Sequence, residues 1–218
     1  MDEFYSPQQR ELQTRHDTVR LADRLQQIIV EKCINEQHQA FIESRDFFFL
    51  TTIDHRGYPS CSYKGGHPGL VRVTGPQEVA FPNYDGNGMF LSLGNINGNP
   101  KIGLLFIDFE TPHRLRAHGD ARIQADDPLL ADYAGAESIV RVAISEIFVN
   151  CPRYIHKMSR VASSKYVPEA GKVTPLPQWK RIDAVQDVLP ACDKRVAENL
   201  GGIITPERYG EMVINGEA

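Results

Sequence analysis

Leu21, Leu25, Ile28 and Ile29 recur at i, i+4, i+7 and i+8 in a stretch that is otherwise charged. That spacing predicts a helix over residues 7–33 carrying one apolar stripe. Ser6 followed by Pro7 marks its start, a capping side chain and then the imino acid that the first turn tolerates. A second short helix is predicted over residues 36–45.

The period then shortens to that of strands. Phe47–Ile53 is a buried-type run that ends in Asp54-His55-Arg56-Gly57, a hairpin turn. Strands are predicted at 59–63, 70–74, 78–81 and 101–108, with Gly-rich or Gly-Pro turns between them. Over residues 113–123 the alternation is clean: Leu115, Ala117, Gly119, Ala121 and Ile123 face one way, and Arg114, Arg116, His118, Asp120 and Arg122 the other. Residues 89–96 have room for two helical turns, 126–134 for a helix and 139–149 for a last long strand. About seven short strands joined mostly by turns read as an antiparallel barrel or sandwich. Beyond Cys151 the pattern is irregular, with helical pieces at 153–160, 178–185 and 191–200.

Composition narrows the function classes. The 218 residues are 41% hydrophobic and 24% charged with a net charge of −4, which argues against broad nucleic-acid binding and requires any anionic ligand to meet local positive charge. The first residues lack the basic flank and apolar core of a secretory signal, and no run has the roughly 18 apolar residues of a membrane helix. Four cysteines lie far apart with no Cys-x-x-Cys pair, so neither a structural metal nor a disulfide is expected and a reducing cytoplasm is the default.

Candidate chemistry concentrates in residues 62–100. Ser62, Tyr63 and Lys64 run into a double glycine, and a second Gly-rich loop precedes the 89–96 turns. A phosphate monoester needs backbone N–H groups, hydroxyls and a cation converging on three oxygens. Glycines allow that approach and a helix start adds aligned dipoles, with Asn87, Ser92 and Asn95 as neutral partners. The plainer reading, tight turns between short strands, is favoured on composition alone. The row Arg114, Arg116 and Arg122 suits an anion or a cofactor edge, although such rows are more often solvated. Cys151, followed by Pro152, could open a helix as a stabilised thiolate, although an inert cysteine is the commoner state. Hydrolytic signatures are missing, and Trp179 is expected to pack rather than to cover a ligand.

In this order, DHRGYPSCSYKGG (54–66), VAFPNYDGN (79–87), SLGNINGNPKIGLLFIDF (92–109), RLRAHGDARI (114–123) and NCPRYIHK (150–157) resemble the FMN-binding split-barrel family, specifically the pyridoxamine 5′-phosphate oxidase-related flavin-nucleotide-binding proteins. The resemblance implies an α+β fold: an antiparallel split β-barrel at 46–157, an N-terminal helical arm at 1–45 and a helical C-terminal extension at 158–218 packed on the barrel. It implies a homodimer with FMN at the subunit interface. Ser62, Tyr63 and Lys64 would meet the ribityl phosphate. Phe81 and Pro82 would flank the isoalloxazine, Asn87, Ser92 and Asn95 would complete the phosphate end, and Arg114 would lie by the ring's polar edge. Two features set the chain apart: Asn87-Gly88 stands where the oxidases have Arg-Lys, and no Arg-x-His occurs near the C-terminus. Oxidation of pyridoxamine phosphate is therefore not expected. The expected function is a flavin-dependent oxidoreductase on a small molecule, with a non-catalytic flavin carrier or sensor, or a split barrel holding deazaflavin or haem, as alternatives. His118 or His156 would be the axial ligand for haem.

Overall fold

The structure is a computed structural model that describes residues 4–218, which divide into two compact units, one up to Val161 and one from Ala162. In the first unit the order is α1 (Pro7–Arg15), α2 (Val19–Ile29), β1 (Val30–Glu31), α3 (Glu36–Glu43), β2 (Phe47–Ile53), β3 (Pro59–Gly65), β4 (Arg72–Gly75), β5 (Glu78–Tyr84), α4 (Leu91–Gly98), β6 (Lys101–Asp108), β7 (His113–Gln124) and β8 (Ala136–Asn150). The antiparallel α+β fold is the one expected.

The single helix expected over 7–33 is two helices and a strand. Ser6 caps α1 through a reciprocal box with Gln9, but the chain breaks at His16-Asp17-Thr18, where Asp17 takes a left-handed φ of 53°. Arg10 then pairs with Asp23 at 2.6 Å across the break. After Ile28 and Ile29 the helix ends, and Val30 and Glu31 form β1, which pairs with Ile147 and Phe148 of β8. The helix expected over 126–134 is a 3-10 turn at Pro128–Asp132, started by Asp127, whose carboxylate accepts from Leu129 N–H.

All strand pairings are antiparallel, in the order β3-β2-β6-β7-β8-β5-β4, with β1 added to β8. Phe48 on β2 and Phe81 on β5 are four steps apart on that path, about 19 Å in a flat sheet. Their ring centroids are 4.9 Å apart, so the sheet curls back on itself. The ends of the path, β3 and β4, do not pair, which leaves the barrel split along that seam. Phe48, Leu50, Phe81, Phe106, Leu115 and Ile147 fill the interior, and Ile42 of α3 and Ile96 of α4 complete it. A second, smaller cluster of Ala80, Tyr133 and Ile139 buries the other face of β5.

The second unit has little regular structure: short 3-10 turns, α5 (Val196–Asn199) and α6 (Pro206–Ile214). Residues 153–160, expected to be helical, form no helix, whereas α6 was not anticipated. Its start repeats the α1 device, with Thr205 accepting from Arg208 N–H ahead of Pro206.

Candidate functional site

The hairpin after β2 sets the site's register. Asp54 accepts from the N–H groups of Arg56 and Tyr58, both at 2.9 Å, and Gly57 supplies the positive φ of the turn. That register places Ser62 opposite Leu50 and Lys64 opposite Phe48. Cross-strand partners share a sheet face, so Ser62 and Lys64 lie on the face of the buried interior, about 7 Å apart along β3. Tyr63 lies on the opposite face, stacked on Phe47 with 5.5 Å between centroids.

Helix α4 meets this wall. Phe90 precedes it in a left-handed conformation and no side chain caps its N-terminus. Ser92 and Asn95 are one turn apart on one helix face. The Ser92 and Ser62 hydroxyl oxygens are 3.2 Å apart, and Asn95 Nδ2 donates to Thr52 Oγ1 at 3.0 Å. Ser62, Ser92 and Asn95 are thus brought together, with Lys64 on the same face. Burial alone pulls the Lys64 ammonium below the ordinary lysine range, and among the described residues no carboxylate pairs with it. A half-buried cation, hydroxyls and uncapped helix N–H groups form a donor set that fits a phosphate monoester.

The other candidates stand elsewhere. Phe81 is in the core against Phe48 and Pro82 is also buried, so neither presents a face to a ligand. Asn87 lies in the exposed loop before α4, its side chain accepting from Met89 N–H. Arg114 points to the outer face of β7, away from the interior. His118 is also on that face, its Nδ1 2.7 Å from Glu146 Oε1 and its ring edge-on to Phe148. His156 is exposed in the segment after β8.

Sequence reasoning missed two features. Thr52 anchors Asn95 but reads as an ordinary strand residue. Met89 and Phe90 are each 62% exposed and Leu91 is exposed beside them, an apolar step at the entrance to α4. Its signal was an apolar triplet set inside a glycine-rich loop. All four cysteines are exposed free thiols. Among the described residues there is no cluster of three or more metal-ligating side chains, and no helix is long and apolar enough to cross a membrane.

Several solved structures are similar to this chain. HupZ of Group A Streptococcus is 17% identical over 58% of this chain and 99% of its own, with a TM-score of 0.44. An FMN-binding protein of Syntrophomonas wolfei is 9% identical over 65% and 97%, at 0.43. The heme storage protein HutZ of Vibrio cholerae is 17% identical over 53% and 94%, at 0.40. No curated protein matches the chain. The model of the family described as pyridoxamine 5′-phosphate oxidase matches residues 34–167, more than half of the chain, and the protein therefore belongs to that family.

Proposed function

We propose that this chain binds FMN through its phosphate, at the wall formed by Ser62, Lys64, Ser92 and Asn95, and uses it in a redox reaction on a small molecule. The observation that carries the reading is Lys64, a half-buried ammonium with no counter-charge among the described residues, beside two converging hydroxyls. A phosphate dianion supplies that charge and takes up the uncapped α4 N–H groups. When bound, the flavin supplies hydride or electron transfer. The chain's own part is to hold the phosphate, orient the ring and keep water from it. Met89, Phe90 and Leu91 offer apolar surface for that covering, in place of Phe81 and Pro82.

The cofactor would lie between two copies of the chain. A surface for the second copy is offered by the opposite, aromatic face of β3, where Phe47 stacks on Tyr63 and Phe109 and Tyr63 is 62% exposed.

An absorbance spectrum of the purified protein, before and after adding FMN and dialysing, tests the proposal. Flavin bands retained on the protein are expected, and colourless protein after dialysis would end it. One observation favours a second reading. His118, held by Glu146 and half exposed, is arranged as a haem ligand with a carboxylate behind it. A Soret band abolished by His118→Ala would replace FMN with haem.

A further inference from the structure

Most arginines of the barrel unit have a carboxylate. Arg45 pairs with Asp108, Arg72 with Asp132, Arg122 and Arg141 with Glu78, and Arg160 with Asp46. Among the described residues, Arg20, Arg24, Arg114, Arg116 and Arg153 have none, and of these Arg114 is distinguished by a buried guanidinium nitrogen. The Nε of Arg114 is fully buried without a hydrogen-bond partner. Asn150, directly across the β7–β8 ladder, has its Oδ1 buried and equally unpartnered. The next residue is Cys151, an exposed free thiol two positions before Arg153. Hydrogen bonding from Arg153, backbone then side chain, with the charges of Arg153 and Arg114, holds the thiol below the ordinary cysteine range.

A buried donor and a buried acceptor left unpaired on facing residues of a ladder are costly, and a ligand that satisfies them offsets that cost. Guanidinium N–H groups are matched by a carboxylate or a phosphate. The Asn150 oxygen calls for a donor next to that anion, a hydroxyl or an ammonium. We propose that Arg114, Asn150, Cys151 and Arg153 form a second anion site, which recognises the carboxylate or phosphate of a small molecule bearing a hydroxyl or amine beside it. Arg114 lies on the opposite face of the sheet from Ser62 and Lys64, and the site stands whether or not FMN binds there.

Charge-selective alkylation tests it on the full chain without cofactor, because the thiol is a built-in reporter. Iodoacetate and iodoacetamide both react with the thiolate, forming a carbon–sulfur bond and releasing iodide, and only the first carries a carboxylate. Rates at Cys33, Cys61, Cys151 and Cys192 are read by peptide mass spectrometry. The iodoacetate-to-iodoacetamide ratio at Cys151 is expected to exceed that at Cys61 by roughly 10-fold or more, the factor that charge-assisted hydrogen bonds provide. Arg114→Gln should bring the ratio down to that of Cys61 while the iodoacetamide rates at Cys33 and Cys192, which report an intact fold, stay unchanged. Inorganic phosphate and lactate, added separately, should slow iodoacetate at Cys151, and the more effective of the two identifies the anion. Equal ratios at Cys151 and Cys61, or no slowing by either anion, would overturn the proposal.

Discussion

Ser62 and Ser92 lie thirty positions apart in the chain, yet their hydroxyl oxygens stand 3.2 Å from each other where β3 meets α4. Each element is positioned independently. The Asp54 turn fixes the register of β3, and the bond from Asn95 to Thr52 fixes the rotation of α4 against β2. The pair is therefore a rigid feature of the barrel, available to a ligand that presents oxygens to both hydroxyls.

Lys64 is predicted to trade stability for binding. Its ammonium is partly desolvated with no carboxylate among the described residues to offset the cost, so Lys64→Met should raise the melting temperature of the cofactor-free protein, by up to about 1 kcal/mol of stability. The same change should weaken FMN binding by about 1–3 kcal/mol, measured by quenching of flavin fluorescence. A variant that binds FMN unchanged would remove Lys64 from the phosphate wall.

Gly119 should tolerate no side chain. It follows the register shift between β7 and β8, and a Cβ there would stand 2.3 Å from the Ala143 carbonyl oxygen. Backbone cannot yield as a flexible side chain can, so Gly119→Ala should cost about 3 kcal/mol in urea unfolding. By contrast, a Cβ at Gly94 meets nothing within 4 Å, and Gly94→Ala in α4 should be neutral or slightly stabilising. Equal effects at the two positions would contradict this account.

The periodicity of β7 was legible residue by residue, because a strand with one buried face must alternate. Phe47–Ile53 was legible as a strand-sized apolar run, and its hairpin because Asp54 and Gly57 stand where such a turn favours Asp and Gly. What escaped was tertiary. Nothing local says that the helix stops at Ile29 and Val30 opens a two-residue strand, since the reward lies on β8, more than a hundred residues away. The motif makes Phe81 a ring-flanking candidate, whereas its packing on Phe48 depends on how far the sheet curls. Thr205-Pro206 carried the same start signal as Ser6-Pro7 and went unread in a segment dominated by turns. Ser62, Lys64, Ser92 and Asn95 stand out in the sequence as candidate chemistry, whereas Thr52, which anchors Asn95, reads there only as a strand residue.

Stability should fall on mild acidification because of His38. The residue is 8% exposed with Nδ1 unpartnered, and Glu31 of β1 stands 3.7 Å from Nε2. Burial lowers its affinity for a proton, Glu31 opposes that, and His113 of β7 adds to the lowering. The unfolded chain takes up the proton as pH falls past about 6.5, while the folded chain resists until a lower pH. The contribution is thus fully present above that value and is lost as pH falls toward the folded pKa, at no more than about 1.4 kcal/mol per pH unit. Melting temperatures measured between about pH 7.5 and 5 should show this slope, and His38→Gln should flatten it. A slope that persists in the variant would assign the effect to another group.

Asp127 and Arg141 make the most consequential ion pair of the barrel. Asp127 is fully buried, its Oδ2 bonded by Arg141 Nε and its Oδ1 by Arg141 Nη2 at 3.0 Å, and Glu78 joins the same guanidinium at 2.7 Å. The carboxylate also accepts from Leu129 N–H and starts the turn over the small cluster of Ala80, Tyr133 and Ile139. Asp127→Asn keeps an acceptor for that turn and removes only the charge, so its cost isolates the pair. It should be about 3–5 kcal/mol in urea unfolding, because Arg141 is left with Glu78 as its one carboxylate. Asp127→Leu combined with Arg141→Met removes both charges and should cost less than Asp127→Asn alone, since no buried charge is left unmatched. The Arg141 hydrogen bond, ahead of the opposing effect of burial, holds the Asp127 carboxyl below 3.8, so the pair persists at pH values where unfolded aspartates already take up protons. Its contribution is present above about pH 4 and lost as pH falls through the lower, folded value. The Asp127→Asn variant should therefore differ from the parent at neutral pH and converge with it in strong acid. A constant difference across that range would show that the substitution disturbs packing and not charge.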